Sequence, residues 1–387
     1  MANYDYEIVN GRKIRVRPKE TVSEIDKNGY FRRQPNHFTT PFGDGENDLK
    51  AEGNKRYRLV WAKLCHWSNR AAIVRELEGL EDQISVNMVE HAPHEKNLGW
   101  EYVYNENNID PVFGDQFLSE AYYRADDDYQ GRTTVPALID TTTGKVVNND
   151  YNWLTTYFEV NFRPWHKKGA PELYPVELRE EVDKMNLWLF DNINNAVYRS
   201  SFSRSNEGHF DGVNTFYAAM DRLEKRLETN RFLFGDYVTD SDIRLYVTLA
   251  RLDIRYTAQL SETKHPLYTY KNLWGYAKEL WEIPAFKNNT FFADFAVPPA
   301  DAKGRIEGEE DGFRASTHYD LALPKIDWDA QWKVSTERAC LSSDPTHPIY
   351  LGNNRRFDID PTWYDLGAES PKKEEKETPP SCGCCCG

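Results

Sequence analysis

Cysteine is scarce in this chain of 387 residues, and its placement is uneven. Four of the six cysteines fall within the last six residues, and only Cys65 and Cys340 lie in the body of the sequence. A secreted fold held together by disulfide bonds would spread its cysteines through the domain. That class of protein is therefore excluded.

Long apolar stretches are also missing. No segment approaches the roughly 18 consecutive apolar residues that a membrane-spanning helix requires. The first residues, MANYDYEIVNGRKIRVRP, lack the apolar core of a secretion signal. We therefore expect a cytoplasmic protein that does not insert into a membrane.

Positive charge is in deficit, because 48 Lys and Arg residues face 62 Asp and Glu residues and give a formal net charge of −14. Such a field repels nucleic acid and anionic lipid, so neither is an expected partner. What the chain does contain is material for a packed core, with 40% hydrophobic and 14% aromatic residues. Its length exceeds that of most single cores and favours two domains with extensions.

The first domain is predicted from the order of short β-prone and helical segments. Residues 1–55 are rich in charge, Gly, Pro and Asn and predict an extended N-terminal arm. Residues 56–165 follow the order β-α-β and then β-β-α, which is typical of a thioredoxin-like α/β domain. In this interpretation residues 92–130 form a long insertion.

Local signals predict three boundaries within this domain. A strand ends just before Cys65, and a helix starts near Trp67 and ends at Gly79. A hairpin turns around Gly144, and the last helix starts near Asp150.

The second domain is predicted from helical spacing of apolar residues, which dominates residues 175–296. Within it, Thr239 and Asp242 have the spacing of a capping box. Residues 297–368 are irregular but partly apolar and predict a C-terminal arm. Residues 369–387 are rich in charge and Pro before the cysteines and predict a disordered tail.

Cys65 lies at the predicted strand-to-helix junction, within KLCHWSNRAAIVR. A sulfur at a helix start faces unpaired backbone N–H groups and the positive end of the helix dipole, which favour a thiolate. His66 and Arg70 could add positive charge. Because Ser68 stands where a dithiol motif has its second cysteine, an external thiol has to resolve any mixed disulfide. The alternative is a buried structural cysteine.

A second signal is Val135-Pro136. A proline at the start of a strand marks a sheet edge or a cis peptide bond. In thioredoxin-like folds a cis-proline lies opposite the thiol, and the preceding residue offers its backbone N–H and C=O to a cysteinyl ligand. Together with the junction at Cys65, this dipeptide predicts a thiol-binding cleft.

A family resemblance rests on several motifs that occur in one order between residues 29 and 294. These motifs are YRLVWAKLCHWSNR, the GW of Gly99-Trp100, GRTTVPALID, VVNND, NNAVYRSSF, RFLFGDYVTDSDIRL and NLWGYAKELWEIP. With them the chain resembles the glutathionyl-hydroquinone reductases, the omega-like Xi class of glutathione transferases. The resemblance implies a thioredoxin-like domain, a helical glutathione transferase C-terminal domain and a homodimer.

The resemblance also implies a reaction and its residues. Members of this family reduce glutathionyl-hydroquinones with glutathione as co-substrate, and the matching nucleophile here is Cys65. Tyr198 and Tyr256 match tyrosines around the aromatic substrate, where their hydroxyls could donate to the departing phenolate oxygen. The implied glutathione-contacting positions are Trp100 as a cover, Arg132 at the glycyl carboxylate, Val135, Pro136, Asp150 and Tyr151.

The chain departs from the family pattern at several positions. Asp150-Tyr151 stands where the family has a Glu-Ser pair for the γ-glutamyl end of glutathione. In the Cys-Pro-Trp-Ala-His-Arg type motif, His66 replaces the proline and Asn69 replaces the histidine. These changes leave open that the protein uses another low-molecular-weight thiol in place of glutathione, or that it acts on a different electrophile.

Other functions remain open as well. A conjugating glutathione transferase would activate its thiol with a Ser or Tyr and would not need Cys65. A non-catalytic binding protein would have an unreactive Cys65. The tail cysteines could bind a soft metal ion, although they lack the paired spacing of an ordered zinc site; they are Cys382, Cys384, Cys385 and Cys386.

Overall fold

The structure, a computed structural model, describes part of the chain. The described residues are 4–17, 23–92, 98–256, 260, 265–296, 327–333, 338–342 and 349. None of the helices within these ranges is long and apolar enough to cross a membrane.

The strands are short, and four of them form the central sheet. In chain order they are β1 (Tyr6–Val9), β2 (Arg12–Arg15), β3 (Tyr57–Trp61), β4 (Ile84–Met88), β5 (Glu90–His91), β6 (Trp100–Glu101), β7 (Ala137–Asp140) and β8 (Lys145–Asn148). The central sheet has the order β4-β3-β7-β8, and the other strands pair as β1-β2 and β5-β6. Strand β3 runs parallel to β4 and antiparallel to β7, which is antiparallel to β8.

The helices divide between the two domains. Those of the N-terminal domain are α1 (His66–Leu77), α2 (Leu118–Ala125) and α3 (Leu154–Val160). The others are α4 (Arg179–Leu189), α5 (Ala196–Phe202), α6 (Asn206–Arg226), α7 (Asp240–Leu252), α8 (Lys271–Trp281), α9 (Pro284–Asn288), α10 (Phe292–Ala296) and α11 (Trp328–Trp332). A π-helical segment, Phe190–Asn194, connects α4 to α5.

The central sheet separates two apolar cores because successive side chains of a strand point to opposite faces. Leu59 and Leu138 belong to the large core that contains α1, α3 and the helical domain. Val60 and Ile139 belong to a second core, which α2 covers. The second core also contains Cys65, so the junction residue lies where this core meets the start of α1.

Helix α7 joins the two domains, since it is buried along its whole length and packs against α1. Its start confirms the predicted capping box, because the Asp242 carboxylate accepts a hydrogen bond from the Thr239 N–H at 2.8 Å. Asp240 of the same turn accepts hydrogen bonds from Thr155 of α3 at 3.2 Å and from Asn186 of α4 at 2.9 Å. Such buried polar pairing fixes how the domains meet.

Residues 23–42, called the arm below, run across both domains. The Phe31 N–H donates to the Ser203 hydroxyl at 3.0 Å, and the Arg204 N–H donates to the Gly29 carbonyl at 2.7 Å. Farther along, Phe38 and Asn149 exchange two hydrogen bonds of 2.9 Å. The arm is therefore a fixed part of the folded molecule.

The predicted fold class is confirmed, and the domain limits stay predictions. Of the predicted C-terminal arm, Trp332 packs against Phe292 and Trp274 of the helical domain. The predicted tail, residues 369–387 with all four of its cysteines, lies outside the described residues.

Three details of the predicted first domain were wrong. The insertion at residues 92–130 contains helix α2. Strand β3 ends at Trp61, because the Ala62 N–H donates to the Ser68 hydroxyl at 3.1 Å and the chain turns toward α1. Helix α3 starts at Leu154, because the Asp150 carbonyl first closes a turn with the N–H groups of Trp153 and Leu154.

Candidate active site

Cys65 is the N-cap residue of helix α1 and carries a free thiol. Its backbone is extended and its carbonyl accepts from the Asn69 N–H at 3.0 Å, so the sulfur lies at the positive end of the helix. The first turn of α1 contains no acidic residue that would offset this field. The Cys65 thiol lies 3.7 Å from the Val135 carbonyl oxygen.

Ser68 bonds to backbone groups through its hydroxyl. Its hydroxyl donates toward the carbonyl oxygens of Ala62 at 3.2 Å and of Cys65 at 3.3 Å, and it accepts from the Ala62 N–H. Ser68 is fully buried and shapes the turn between β3 and α1. Ser68, the last residue of the Cys-x-x-Ser motif, therefore has a structural role.

The peptide bond between Val135 and Pro136 is cis, which is one of the two alternatives that the sequence indicated. The segment before it is held by Tyr122, whose hydroxyl donates to the Thr134 carbonyl at 2.7 Å. Asn149 also donates to the Thr134 side chain at 3.2 Å. The backbone of Val135 is thus fixed opposite the sulfur of Cys65.

Arg251 of α7 fixes the loop that leads into Cys65. Its guanidinium donates to the Lys63 carbonyl at 2.7 Å, to the Leu64 carbonyl at 2.8 Å and to the Asn69 side chain at 3.1 Å. Burial lowers the pKa of Arg251 to about 10. The guanidinium of Arg251 therefore lies against the loop that leads into Cys65.

Aromatic rings form one side of the cleft, called the aromatic side below: Trp67, Tyr151, Phe190 and Tyr198. The Trp67 ring lies 4.7 Å from Tyr151, 5.5 Å from Phe190 and 5.9 Å from Tyr198, measured between ring centroids. All four side chains contribute to the apolar cluster that includes Cys65. The aromatic side is therefore a packed cluster of rings next to Cys65.

Arg33 of the arm brings a cation to the aromatic side. Its guanidinium carbon lies 4.3 Å from the Tyr198 ring and 4.7 Å from the Trp67 ring. Its Nε donates to Asn195 at 2.9 Å, whereas its buried Nη2 has no hydrogen-bond partner among the described residues. This donor is available to a negatively charged group in the cleft.

Of the two tyrosines predicted at the substrate, Tyr198 lies in α5, and Tyr256 follows the end of α7. Burial, and then the negative charge of a Cys65 thiolate, raise the pKa of Tyr198. Burial, followed by the proximity of Tyr198, raises the pKa of Tyr256 well above its usual value. Both hydroxyls consequently keep their protons at neutral pH and can donate hydrogen bonds.

His66 lies between the two tyrosines and is completely buried. Its ring centroid is 5.3 Å from that of Tyr198, and its Nδ1 is 3.1 Å from the Tyr256 hydroxyl. Burial and the charges of Arg251, Arg33 and Arg70 lower the pKa of His66 well below its usual value. The imidazole is therefore neutral and does not supply the positive charge that the sequence suggested.

A second group of residues, called the thiol side below, consists of Arg132, Val135, Asn149 and Asp150. The arm already contacts its polar groups. Glu24 accepts two hydrogen bonds of 3.1 Å from the Arg132 guanidinium, and Asn36 donates to the Asp150 carboxylate at 2.9 Å.

Gln34 adds two backbone contacts to Arg132. The Gln34 side chain accepts from the Arg132 N–H and donates to its carbonyl, each at 2.8 Å. The arm thus orders the backbone of the thiol side as well as its charges.

Trp100 lies in β6 and packs on His91 in a tilted arrangement, with ring centroids 4.5 Å apart. It belongs to the same apolar cluster as Cys65 and Val135. The preceding Gly99 has a φ of +79°, and a Cβ there would lie 2.5 Å from the Thr133 hydroxyl oxygen. Only glycine permits this approach, which positions Trp100.

The structure thus brings most of the predicted site residues together. Cys65, Trp100, Val135 and Tyr151 share one apolar cluster, against which Tyr198 packs. Tyr256 belongs to the large core and reaches the site through His66. Arg132 and Asp150 lie on the thiol side and are linked to it by the arm.

Sequence reasoning missed Glu24, Arg33, Asn36 and Arg251. These residues contact positions that lie far away in the chain, and no local motif marks them. Within the described ranges, no group of three or more His, Cys, Asp or Glu side chains could hold a metal ion.

Comparisons with known proteins agree with this geometry. A family model for the glutathione S-transferase C-terminal domain matches residues 198–279. The glutathionyl-hydroquinone reductase YqjG of Escherichia coli is 32% identical over 237 residues, covering 61% of this chain and 72% of that protein. Its glutathione-bound structure superposes with a TM-score of 0.61 at 31% identity, covering 69% of this chain and 87% of that one.

Two fungal proteins extend the comparison. The glutathione S-transferase omega-like 2 of Schizosaccharomyces pombe is 34% identical, covering 69% of this chain and 87% of that protein. The crystal structure of the glutathione-S-transferase Xi from Phanerochaete chrysosporium has a TM-score of 0.64 at 32% identity, covering 70% of this chain and 88% of that one.

A thioredoxin-like domain followed by an all-helical domain is the fold of the glutathione transferases, a class of enzymes. Within that class, the chain belongs to the Xi class, the glutathionyl-hydroquinone reductase family.

Proposed function

We propose that the protein is a glutathione-dependent thiol reductase that removes glutathione from glutathionyl-hydroquinones through a mixed disulfide on Cys65. The observation that carries this proposal is the position of Cys65 at the N-cap of α1, 3.7 Å from the Val135 carbonyl. Ser68 is bound to the backbone and no second cysteine lies in the motif, which suits a monothiol cycle. The relatives named glutathionyl-hydroquinone reductase support the same activity.

The cycle has two steps. The Cys65 thiolate attacks the sulfur of the glutathionyl thioether, and an S–S bond forms while the bond between sulfur and the ring carbon breaks. The hydroquinone reacts as its keto tautomer, in which a hydroxyl proton has moved to the ring carbon that bears the sulfur. The electron pair of the broken bond therefore passes to the ring oxygen, and the hydroquinone leaves as a phenolate that then takes up a proton. A second glutathione, as thiolate, attacks the mixed disulfide, which releases glutathione disulfide and restores the Cys65 thiolate.

The aromatic side stabilises the charge that develops on the leaving ring. The Tyr198 hydroxyl makes no hydrogen bond to the described residues and, with its raised pKa, donates to the phenolic oxygen. The unpartnered Nη2 of Arg33 adds a positively charged donor next to the same rings.

The thiol side holds the glutathione. Val135 offers its backbone to the cysteinyl residue beside Pro136, and Trp100 covers the peptide with Tyr151 at the cleft wall. Asp150 binds the γ-glutamyl ammonium group. Arg132 binds the glycyl carboxylate while it also donates to the Glu24 carboxylate. The glutathione-bound structure of YqjG supports glutathione as the co-substrate.

Replacement of Cys65 by Ser tests the proposal on glutathionyl-menadiol with glutathione as reductant. We expect kcat to fall by about a thousandfold or more, because the nucleophile is lost. The matched control is Cys340→Ser, since Cys340 is the other cysteine of the described residues and is exposed. Intact-mass spectrometry of wild-type protein treated with the substrate alone should show one glutathione on Cys65.

A conjugating transferase is the second candidate, because the unengaged Tyr198 hydroxyl could activate a bound thiol. Conjugation of 1-chloro-2,4-dinitrobenzene that survives Cys65→Ser, together with no reduction of glutathionyl-menadiol by the wild type, would establish this alternative. Parallel reactions with cysteine or 2-mercaptoethanol in place of glutathione identify a different thiol.

Assembly as a homodimer is part of the proposal, in keeping with the class. Light scattering tests it, since a dimer has twice the mass of the 45.1 kDa chain. Metal binding by the cysteines of residues 382–386 stays a prediction that the described residues do not address.

A further inference from the structure

His66 occupies the position next to the nucleophile where the family motif has a proline, so it adds polar atoms at a place where proline has none. The residue begins α1 and is completely buried. Its Nδ1 lies 3.1 Å from the Tyr256 hydroxyl and also 3.1 Å from the Thr248 hydroxyl. Its Nε2 has no hydrogen-bond partner in the described part of the chain.

Two hydroxyl groups therefore compete for a single nitrogen. A neutral imidazole nitrogen without a hydrogen has one lone pair and accepts one strong hydrogen bond at a time. Thr248 is well placed to be a donor, because its oxygen already accepts a hydrogen bond of 2.8 Å from the Asn194 side chain. The hydrogen of Thr248 is thus free to point at Nδ1.

The Tyr256 hydroxyl can also donate to Nδ1, but it has a second possible acceptor. When the cleft contains no acceptor, its hydrogen can be directed at Nδ1. When a substrate oxygen arrives, Tyr256 can donate to that oxygen while Thr248 keeps Nδ1 satisfied. Nδ1 has a donor in either arrangement, so the exchange of donors leaves no additional hydrogen bond unmade.

We propose that His66 is a positioning residue that acts through Tyr256: Nδ1 holds the Tyr256 hydroxyl at the cleft, and Thr248 replaces Tyr256 as the donor to Nδ1 when Tyr256 donates to the phenolic oxygen of the substrate. This role rests on the proposed reductase function. It requires the hydrogen of the imidazole to reside on Nε2 and the ring to stay neutral.

The surroundings of His66 meet this requirement. Arg251, Arg33 and Arg70 place positive charge around the ring, and burial removes it from water, so protonation is disfavoured. The facing titratable groups are Tyr198 and Tyr256, whose pKa values are raised by burial. No carboxylate forms an ion pair with His66 in the described ranges.

The test compares His66→Leu with His66→Asn in the full chain. Leucine removes the acceptor, and we expect kcat on glutathionyl-menadiol to fall about tenfold, the equivalent of one lost hydrogen bond. Asparagine places an oxygen near the position of Nδ1, so we expect it to restore kcat to within about threefold of wild type. The rate of Cys65 alkylation by iodoacetamide should stay within about twofold in both variants.

A double-mutant cycle with Tyr256→Phe separates positioning from a structural role. In the Tyr256→Phe background, His66→Leu should change kcat by less than about twofold, because the group it positions is gone. Additive losses in kcat, or a parallel loss of Cys65 alkylation, would overturn the inference.

Nitrogen-15 NMR of histidine-labelled protein gives a result that does not depend on activity. His66, assigned by the signal that disappears in His66→Asn, should have its hydrogen on Nε2 and a bare Nδ1. A hydrogen on Nδ1 would overturn the inference even if the reductase activity is confirmed. A wild type that is inactive on glutathionyl-menadiol but has the Nε2–H tautomer would instead contradict the proposed function.

Discussion

On the thiol side of the cleft the polar groups are already engaged, whereas on the aromatic side several are not. Glu24 and Asn36 of the arm bind Arg132 and Asp150 before any ligand arrives. By contrast, Arg33 Nη2 and Trp67 Nε1 have no hydrogen-bond partner among the described residues. In the proposed function this difference suits a preformed binding site for the thiol on one side and free donors for a developing charge on the other.

The largest expected effect tests the aromatic side. Tyr198→Phe removes the proposed donor to the leaving ring and should lower kcat on glutathionyl-menadiol about a hundredfold, the low end for a group that acts in the transition state. The KM for glutathione should stay within twofold, because the thiol side is untouched. Steady-state kinetics with both substrates varied measures the two effects separately.

Tyr246→Phe is the matched control for this prediction. Tyr246 is a buried tyrosine whose hydroxyl lies 2.8 Å from that of Thr290 and whose ring packs on Phe286. It should lose some stability and keep its kcat. If both variants lose kcat equally, the loss in Tyr198→Phe would not come from a missing donor on the aromatic side.

A smaller effect tests the thiol side. Glu24→Gln keeps the shape of the side chain but removes the charge that neutralises Arg132. If Arg132 binds the glycyl carboxylate, the KM for glutathione should fall about two- to fivefold, as expected for a partly exposed ion pair. Asp26→Asn, at the exposed pair with Arg32 in the same arm, is the control and should leave KM unchanged. A raised KM for glutathione in Glu24→Gln would mean that glutathione binding depends more on the order that the arm provides than on the charge of Arg132.

The smallest expected effect is on the pH dependence of the free energy of unfolding, and it arises from the neutral His66. Because burial and the nearby arginines lower its pKa in the folded state, the unfolded chain binds more protons below about pH 6.5. The wild type should therefore lose stability as the pH falls below that value. Between pH 7.5 and 5.5 it should lose about 1.4 kcal/mol more than His66→Asn, measured by urea denaturation at both pH values. Equal losses would show that His66 is protonated in the folded protein.

The fold and the centre of the site follow from local signals in the sequence. Cys65 was found because a strand, a cysteine and a helix stand in succession, and Val135 because a proline follows it at a strand start. Helix α2 was missed although Leu118, Ala121 and Tyr122 have helical spacing, since the segment is short and surrounded by polar residues.

The remaining parts of the site depend on contacts between distant segments. Arg251 donates to Leu64 across 187 residues, and Arg132 donates to Glu24 across 108. A charged side chain in a polar arm has no periodicity that reveals its partner. For the same reason, the substitution at His66 was visible in the sequence, but its link to Tyr256, 190 residues away, was not.

The contacts of Arg251 couple the shape of the catalytic loop to the attachment of the two domains. The carbonyl groups of Lys63 and Leu64 and the side chain of Asn69 depend on one guanidinium that the other domain supplies. A thioredoxin-like domain folded alone would leave these acceptors to water and would let the segment before Cys65 move. The segment that leads into Cys65 therefore takes its shape only in a chain whose helical domain has docked.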